Sequence, residues 1–465
     1  MDKESGKRKR ILVITYAFPP VAYVGVHRTL KYCRYLSSHQ WMPVVLTSRP
    51  SDAAFKDEKL CQQIPPDVEV YRTADFDPAR LIEKLSRLRR RSVSPPTPTQ
   101  PGANDTSSSA APSQLAKLKQ CVEALLTQSP DSHVFWLPFA LLGGFWILLG
   151  QKVDVIYSTS PPHSSHIAAF LLARCFRKPY ILDFRDPWYV GGLAENPSKK
   201  LTWVLKLEAH AKRRIINGAA KVICVSKGER EELQKEFPEI EAERFAFITN
   251  GYDPADFSLV IPEGRPTDKL TLTHAGTIYT GAAGEFFEAL LQLLRDRPGV
   301  ENMIQVRLLG EISQEYVEIV RTLASKGIVQ IYGLQPHATA LRMMMETDVA
   351  VILLGGNTFL SSEIPAKVFE YLFVGKPILA IAEEGDLTEI LRQSGLGIVV
   401  RPRSPENVAD ALWALVADHA AGRLTRMPNK SYIRSFERAV LTERLARMLD
   451  AVKEAELVRQ QCPCR

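Results

Sequence analysis

In the stretch 361–380, SSEIPAKVFEYLFVGKPILA, a cation and a carboxylate stand three residues apart at the start of an apolar helical pattern. Lys367 and Glu370 share a helix face at that spacing, while Val368, Phe369, Leu372 and Phe373 take the side that faces a sheet. Pro365 suits the first helical turn and Gly375 the position past the last, which predicts a helix of about ten residues. The start of a helix attracts anions. With Lys367 beside it and two carboxylate oxygens on Glu370, the unit suits a phosphorylated polyol, the carboxylate taking a ribose diol. The plain alternative is a surface ion pair between the two side chains.

A second polar group spans two segments. Ser158 to His166 (STSPPHSSH) and Asp183 to Trp188 (DFRDPW) each follow an apolar run that reads as a strand. Open α/β sheets place ligands beyond the carboxyl ends of their strands. Asp186 is suited to orienting a sugar or acceptor hydroxyl, and His163 or His166 to meeting the substrate. The structural alternatives are a local salt bridge between Asp183 and Arg185, and capping or core roles for the histidines. Asp75-Phe76-Asp77 has the outline of a metal-binding pair but lacks a third ligand. Walker, Gly-x-Ser-x-Gly, His-Glu-x-x-His and dinucleotide Gly-x-Gly-x-x-Gly patterns are absent, so the hydrolase, NTPase, zincin and NAD readings have little support.

The elements that must position these residues alternate. Apolar runs at 10–15, 43–48, 68–72, 153–157, 180–182, 221–225 and 245–249 read as strands of a first parallel sheet. Runs at 270–274, 305–309, 329–332, 349–354 and the end of the opening stretch repeat the pattern. Helical patterns lie between them, the first at 29–37, which leaves Gly25 in a loop. The expected class is therefore α/β, with two Rossmann-like doubly wound domains facing across a cleft. The expected domains are 1–255, on the acceptor side, and 256–434, which binds the donor, with a helix and tail at 435–465 packing back across both. Residues 92–114, SVSPPTPTQPGANDTSSSAAPSQ, read as a disordered insertion inside the first domain.

At 465 residues the chain exceeds one ordinary core, and its 45% hydrophobic and 24% charged residues are globular values. The net charge of +7 is partly gathered at 7–10 and 87–91, as solvated edges or as contacts to acidic headgroups or nucleic acid. Seven cysteines without metal-ligand spacing suggest reduced, cytosolic thiols. The first apolar run is too short for a leader. Residues 134–150, VFWLPFALLGGFWILLG, are short for a membrane span and hold Pro138, Gly143 and Gly144. They read as a buried helix, or else as an apolar surface that dips into a bilayer or holds a lipid.

FPPVAYVGVHR, STSPPHSSH, ILDFRDPW, VICVSKGE, ITNGYDPADF, HAGTIYTG and IPAKVFEYLFVGKPILA, in that order, resemble family-4-type retaining glycosyltransferases of the GT-B fold. The likeness runs over about residues 10–450. It implies a nucleotide diphosphate sugar as co-substrate, held mainly by the second domain, an acceptor held by the first, and neither cofactor nor catalytic metal. Glu370 resembles the second, ribose-binding glutamate of the family's paired motif. The first falls on Ser362, with Glu363 one place away. Gly25 resembles the glycine that admits the donor phosphate.

Arg185-Asp186 resembles the family's usual His-Asp, departing at the first residue. The Arg and Lys that commonly neutralise the leaving diphosphate are missing from Thr280-Gly281-Ala282-Ala283-Gly284, and Lys227 and Lys367 are the substitutes. The expected donor-binding set is thus Gly25, Lys227, Gly276, Ser362, Glu363, Ile364, Lys367 and Glu370, and the expected catalytic set Asp186, Arg185 and His163.

The expectation is a retaining, metal-independent glycosyltransferase acting on an acceptor hydroxyl in polysaccharide, glycolipid or natural-product assembly. The acceptor is a sugar, a lipid-linked group or a small molecule, and no nucleic acid is bound. A cytoplasmic location is expected, with peripheral contact at the inner face of the membrane. The alternatives are a nucleotide-sugar epimerase on the same fold and a catalytically weak relative that serves as an assembly partner.

Overall fold

The structure is a computed structural model that describes residues 8–50, 55–76, 131, 133–188, 202–258, 260–264, 268–355 and 362–461. Two compact units divide the chain. The first comprises residues 1–223, 237–246 and 446–465, and the second residues 224–236 and 247–445. The insertion at 92–114, the basic run at 87–91 and the helical pattern at 115–126 lie outside the described residues.

The first sheet is parallel, with strand order β3-β2-β1-β4-β5-β6-β7. Its members are β1 (Lys9–Ile14), β2 (Trp41–Ser48), β3 (Glu69–Thr73), β4 (Val155–Ser160), β5 (Tyr180–Phe184), β6 (Lys221–Cys224) and β7 (Phe245–Phe247). Burial of β4 and β5 is complete along their length, as the unbroken apolar runs require of central parallel strands. The connecting helices are α1 (Val24–Leu36), α2 (Leu137–Gly150), α3 (Ser164–Phe176), α4 (Thr202–Gly218) and α5 (Lys227–Glu236). Helix α1 starts before the expected position, so Gly25 lies in its first turn and not in a loop.

The apolar run 134–150 is buried on one side and exposed on the other. Trp136, Ala140, Gly144, Ile147 and Leu148 are buried, and the Trp136 indole donates to Thr73 Oγ1 at 2.8 Å. Two glycines let the helix approach its neighbours. A Cβ on Gly143 would lie 2.7 Å from Thr73 Cγ2, and one on Gly144 2.3 Å from Leu172 Cδ1. The opposite face of α2 is exposed. Among the described residues no helix is long and apolar enough to cross a membrane.

The second sheet, also parallel, has the order β10-β9-β8-β11-β12-β13. It contains β8 (Leu270–Ala275), β9 (Ile304–Leu309), β10 (Val329–Gly333), β11 (Val349–Gly355), β12 (Ile378–Ala382) and β13 (Gly397–Val400). Helices α6 (Gly284–Asp296), α7 (Val317–Ser325), α8 (His337–Met345), α9 (Lys367–Val374), α10 (Asp386–Ser394) and α11 (Pro405–Ala420) connect them, and α12 (Arg438–Gln461) ends the described chain. Apolar layers cover both faces. Phe286, Leu290 and Leu412 pack on one, and Val368, Phe369 and Leu372 of α9 on the other.

Candidate active site

Helix α9 is shorter than the sequence suggests. Pro365 precedes it, its carbonyl accepting from Val368 N at 3.0 Å, and Lys367 is the first helical residue. Gly375 ends it at φ 74°, a left-handed conformation that costs glycine little, and donates to Tyr371 O at 3.1 Å. One turn from the start, Tyr371 fastens the helix to β8. Its hydroxyl accepts from Ala275 N at 2.9 Å and donates to Thr273 O at 3.3 Å.

That attachment brings Lys367 over the carboxyl end of β8. A Cβ on Gly276 would lie 3.0 Å from Lys367 Nζ, and Gly276 itself holds φ 127°. The amine does not pair with Glu370. It lies 3.0 Å from Nε2 of His274, whose Nδ1 is 3.2 Å from Val351 O. A carbonyl can only accept, so Nδ1 carries the proton and Nε2 accepts from the lysine. Burial pushes His274 well below its ordinary pKa, and the Lys367 charge adds to this. Desolvation brings Lys367 itself down to about 7, against the upward pull of Glu363.

Glu370 turns elsewhere. Its Oε1 lies 2.8 Å from His337 Nε2, at the start of α8. The alternative of a surface ion pair between Lys367 and Glu370 therefore gives way to two longer-range contacts, and both groups stay at the same helix start. Ser362 is partly buried, Glu363 exposed and Ile364 buried in the core beneath α9. Lys227 is exposed at the start of α5, 3.9 Å from Glu231. Within the same unit its neighbour Gly228 donates to Asp386 Oδ2 at 2.7 Å. At the turn after β8, Gly281 N donates to Glu315 Oε1 at 2.6 Å and Thr280 Oγ1 lies 2.8 Å from Ser313 Oγ. No cation stands in that turn, and Lys367 reaches the strand end from α9 instead.

In the first unit, the polar residues after β4 and β5 form a separate group. Asp183 does not pair with Arg185. It accepts from Arg28 Nε at 2.9 Å and, through its other oxygen, from Arg28 Nη2 at 2.8 Å, both residues being fully buried. Tyr157 also donates to it. Arg185 instead donates from Nε to Ser160 O at 2.9 Å and from Nη2 to Pro161 O. Its Nη1 occupies the space that a side chain at position 25 would need, 1.0 Å from a Cβ built on Gly25. Here the glycine in the first turn of α1 makes room for a guanidinium of its own chain.

Asp186 is at the surface, where nearby protein atoms push its carboxyl upward and Arg185 opposes them. His163 stacks on Trp188 with ring centroids 4.8 Å apart and planes 4° apart. Burial holds it down to about 4, with Asp131 opposing, so it is neutral at physiological pH. His166 Nδ1 meets Ser158 Oγ at 2.8 Å. Among the described residues, His163 Nδ1 and His166 Nε2 are buried without a hydrogen-bond partner. Asp131 caps α3 by accepting from Ser164 N and Oγ, each at 2.8 Å. Asp75 is taken by the Tyr16 hydroxyl at 2.5 Å, and Asp77 lies outside the described residues. Among the described residues no three His, Cys, Asp or Glu side chains gather as metal ligands would.

Residues 25–251 match the family model described as a glycosyl transferase 4-like domain. The whole fold is shared with solved glycosyltransferases. A sucrose-phosphate synthase from Thermosynechococcus elongatus is 13% identical with a TM-score of 0.61, over 96% of this chain and 100% of that one. The chain carries a glycosyl transferase 4-like domain and has the GT-B fold of solved glycosyltransferases. Anabaena HepE, solved in complex with UDP-glucose, is 13% identical with a TM-score of 0.57, over 95% of this chain and 99% of HepE. An α,α-trehalose 6-phosphate synthase from Burkholderia multivorans is 12% identical with a TM-score of 0.57, over 97% and 98% of the two chains. No curated protein matches the chain in sequence.

Two site residues escape a reading of sequence alone. His274 stands inside HAGTIYTG, where only the glycine drew notice, and His337 opens a helix after Pro336. The strand already alternates as Leu270-Thr271-Leu272-Thr273 before His274, so its sequence does not set this histidine apart.

Proposed function

We propose that the donor is a nucleotide diphosphate sugar held by the second unit, with Lys367 and the Gly276 backbone at the diphosphate and Glu370 at the ribose. The observation that carries this is Lys367 Nζ lying over Gly276 at the carboxyl end of β8. Negative charge grows on the diphosphate as the glycosidic bond breaks, and a cation fixed beside it stabilises that charge. Lys367 thus supplies the charge absent from the turn after β8. His274 aims the amine, Tyr371 fixes the helix, and His337 orients the Glu370 carboxylate. Glu363, Ser362, Ile364 and Lys227 complete the surroundings as neighbours of this helix start. The complexes of HepE with UDP and UDP-glucose favour a uridine diphosphate sugar as the first donor to try.

In the first unit, Asp186, Arg185 and His163 are proposed to meet the sugar or acceptor, with Gly25 acting by seating Arg185. Transfer with retention, without a metal or other cofactor, rests on the family-4 resemblance. The acceptor is a sugar, lipid-linked or small-molecule hydroxyl in polysaccharide, glycolipid or natural-product assembly. The proposed location is cytoplasmic, at the inner face of a membrane.

A thermal-shift screen of nucleoside diphosphates against wild type and Glu370→Ala tests the donor assignment. Stabilisation of wild type by UDP, weakened in the variant, is the expected result. Equal stabilisation of both proteins would sink the ribose role, and transfer from UDP-sugars to water or an acceptor then separates a catalyst from a binding relative.

A further inference from the structure

Among the described residues the outer face of α2 is apolar and uncovered. Trp146 is 66% exposed, Leu142 60% and Leu149 56%, and Leu171 on the adjoining α3 is 40% exposed. Spaced three, four and seven residues apart, the α2 members lie along one side of the helix. An amphipathic helix would carry charged side chains there, but the Trp146 indole is the one polar side-chain group between 137 and 150. A contiguous apolar face of this kind marks an interaction surface.

Its charged border selects the occupant. Lys152 follows α2, and Arg174, Arg177 and Lys178 end α3, whereas Asp154 is the single acidic residue between 133 and 180. Asp154 is already engaged, by Lys453 at 3.2 Å and by Arg10 N at 2.8 Å. Glu69, which meets Gln151 at 2.6 Å, is also bound by the Tyr71 hydroxyl at 2.8 Å. Phe145 of α2 meets Phe176 of α3 with ring centroids 5.3 Å apart, so the cationic end of α3 borders the apolar face directly. A bilayer surface matches both features, since aromatic and aliphatic side chains enter the acyl boundary while cations meet anionic headgroups.

We propose that the exposed face of α2, with the basic end of α3, docks the protein on an anionic phospholipid bilayer. This sharpens the membrane-face location given above and is independent of the donor assignment.

The test is flotation of the full chain with phosphatidylcholine vesicles, with and without phosphatidylglycerol, at low and high salt. Wild type should float with the anionic vesicles and lose binding as salt rises. Trp146→Glu should lower the floated fraction roughly tenfold, and Arg174→Glu with Arg177→Glu should remove the preference for phosphatidylglycerol. All three of these side chains are exposed, and unchanged circular dichroism and thermal midpoint confirm that the variants fold. Absence of flotation by wild type, or flotation that Trp146→Glu leaves unchanged, overturns the proposal. So does a dimer seen by sedimentation that Trp146→Glu splits while neither protein binds vesicles, because the face then joins two copies. Nucleotide binding is scored separately on the same preparations, so failure of the donor reading and failure of this one are distinguishable.

Discussion

Lys367 Nζ lies 3.0 Å from His274 Nε2, and the histidine's other nitrogen is held by Val351 O. The imidazole is therefore a fixed acceptor for the lysine, and gain or loss of a proton falls on the amine. Glu363 pulls its pKa upward, Glu370 is engaged by His337, and Tyr371 bonds to the backbone of β8. In the free protein Lys367 titrates near 7. A bound diphosphate favours the ammonium form, so UDP binding at pH 8 should take up most of one proton. Affinity should be best below pH 7 and weaken as pH rises above it. Calorimetry in two buffers of different ionisation heat measures the uptake, and identical heats would remove Lys367 from the diphosphate.

The same lysine should lower stability. An unfolded lysine titrates at about 10.4, while in the folded protein Lys367 titrates at about 7. Between these values the unfolded chain binds more protons, so this group makes stability rise with pH through that window, with its full cost present below it. Lys367→Met should raise the melting temperature at pH 7, by about 2–4 °C for each kcal/mol relieved, while UDP binding is lost. The unpaired His274 Nε2 offsets part of the gain. Melting curves at pH 7 and pH 10 check this, the variant being the flatter of the two proteins.

Removing the ribose contact should be selective for the nucleoside. Glu370→Ala is expected to cost about 1.5–3 kcal/mol of UDP binding, that is, about ten- to a hundredfold in Kd. His337→Phe, which leaves the carboxylate in place but unoriented, should cost less. Neither variant should change the affinity for inorganic diphosphate, and a parallel loss for both ligands would assign Glu370 a structural role.

Gly25→Ala should act through Arg185. The new methyl must displace the guanidinium, so transfer should fall as far as it does in Arg185→Ala. The double variant Gly25→Ala with Arg185→Ala should be no worse than either single one, a non-additivity that marks two residues acting as a unit. Fully additive losses would separate the two roles.

Arg28 and Asp183 carry a structural load. Both are fully buried and joined by two hydrogen bonds, so removing one partner strands the other's charge. Arg28→Met should cost about 3–5 kcal/mol in urea unfolding, read as a lower midpoint with an unchanged slope. A cost below about 1 kcal/mol would place the pair with ordinary surface ion pairs.

The α/β alternation was legible because buried parallel strands are written as continuous apolar runs, as in RILVIT and VAVILL. Lys367, Glu370 and Gly375 were legible together because one helix carries them, and local spacing decides a helix face. Their partners were not. His274 lies 93 residues from Lys367 and His337 33 residues from Glu370, distances over which only the folded sheet brings side chains together. The alternative of a Lys367–Glu370 pair, which local spacing allows, gives way for the same reason. Trp136 and Trp146, ten residues apart in one apolar run, have opposite fates, since the run lacks the polar residues that would have shown which side faces water.

The seat that Gly25 provides for Arg185 also constrains how such a sequence can change over time. An ancestor holding arginine at 185 cannot acquire even alanine at 25 without expelling the guanidinium, whereas one that first shortens residue 185 is free to vary at 25. Substitution has a required order at these two positions, and related sequences should carry glycine at the first wherever they carry arginine at the second.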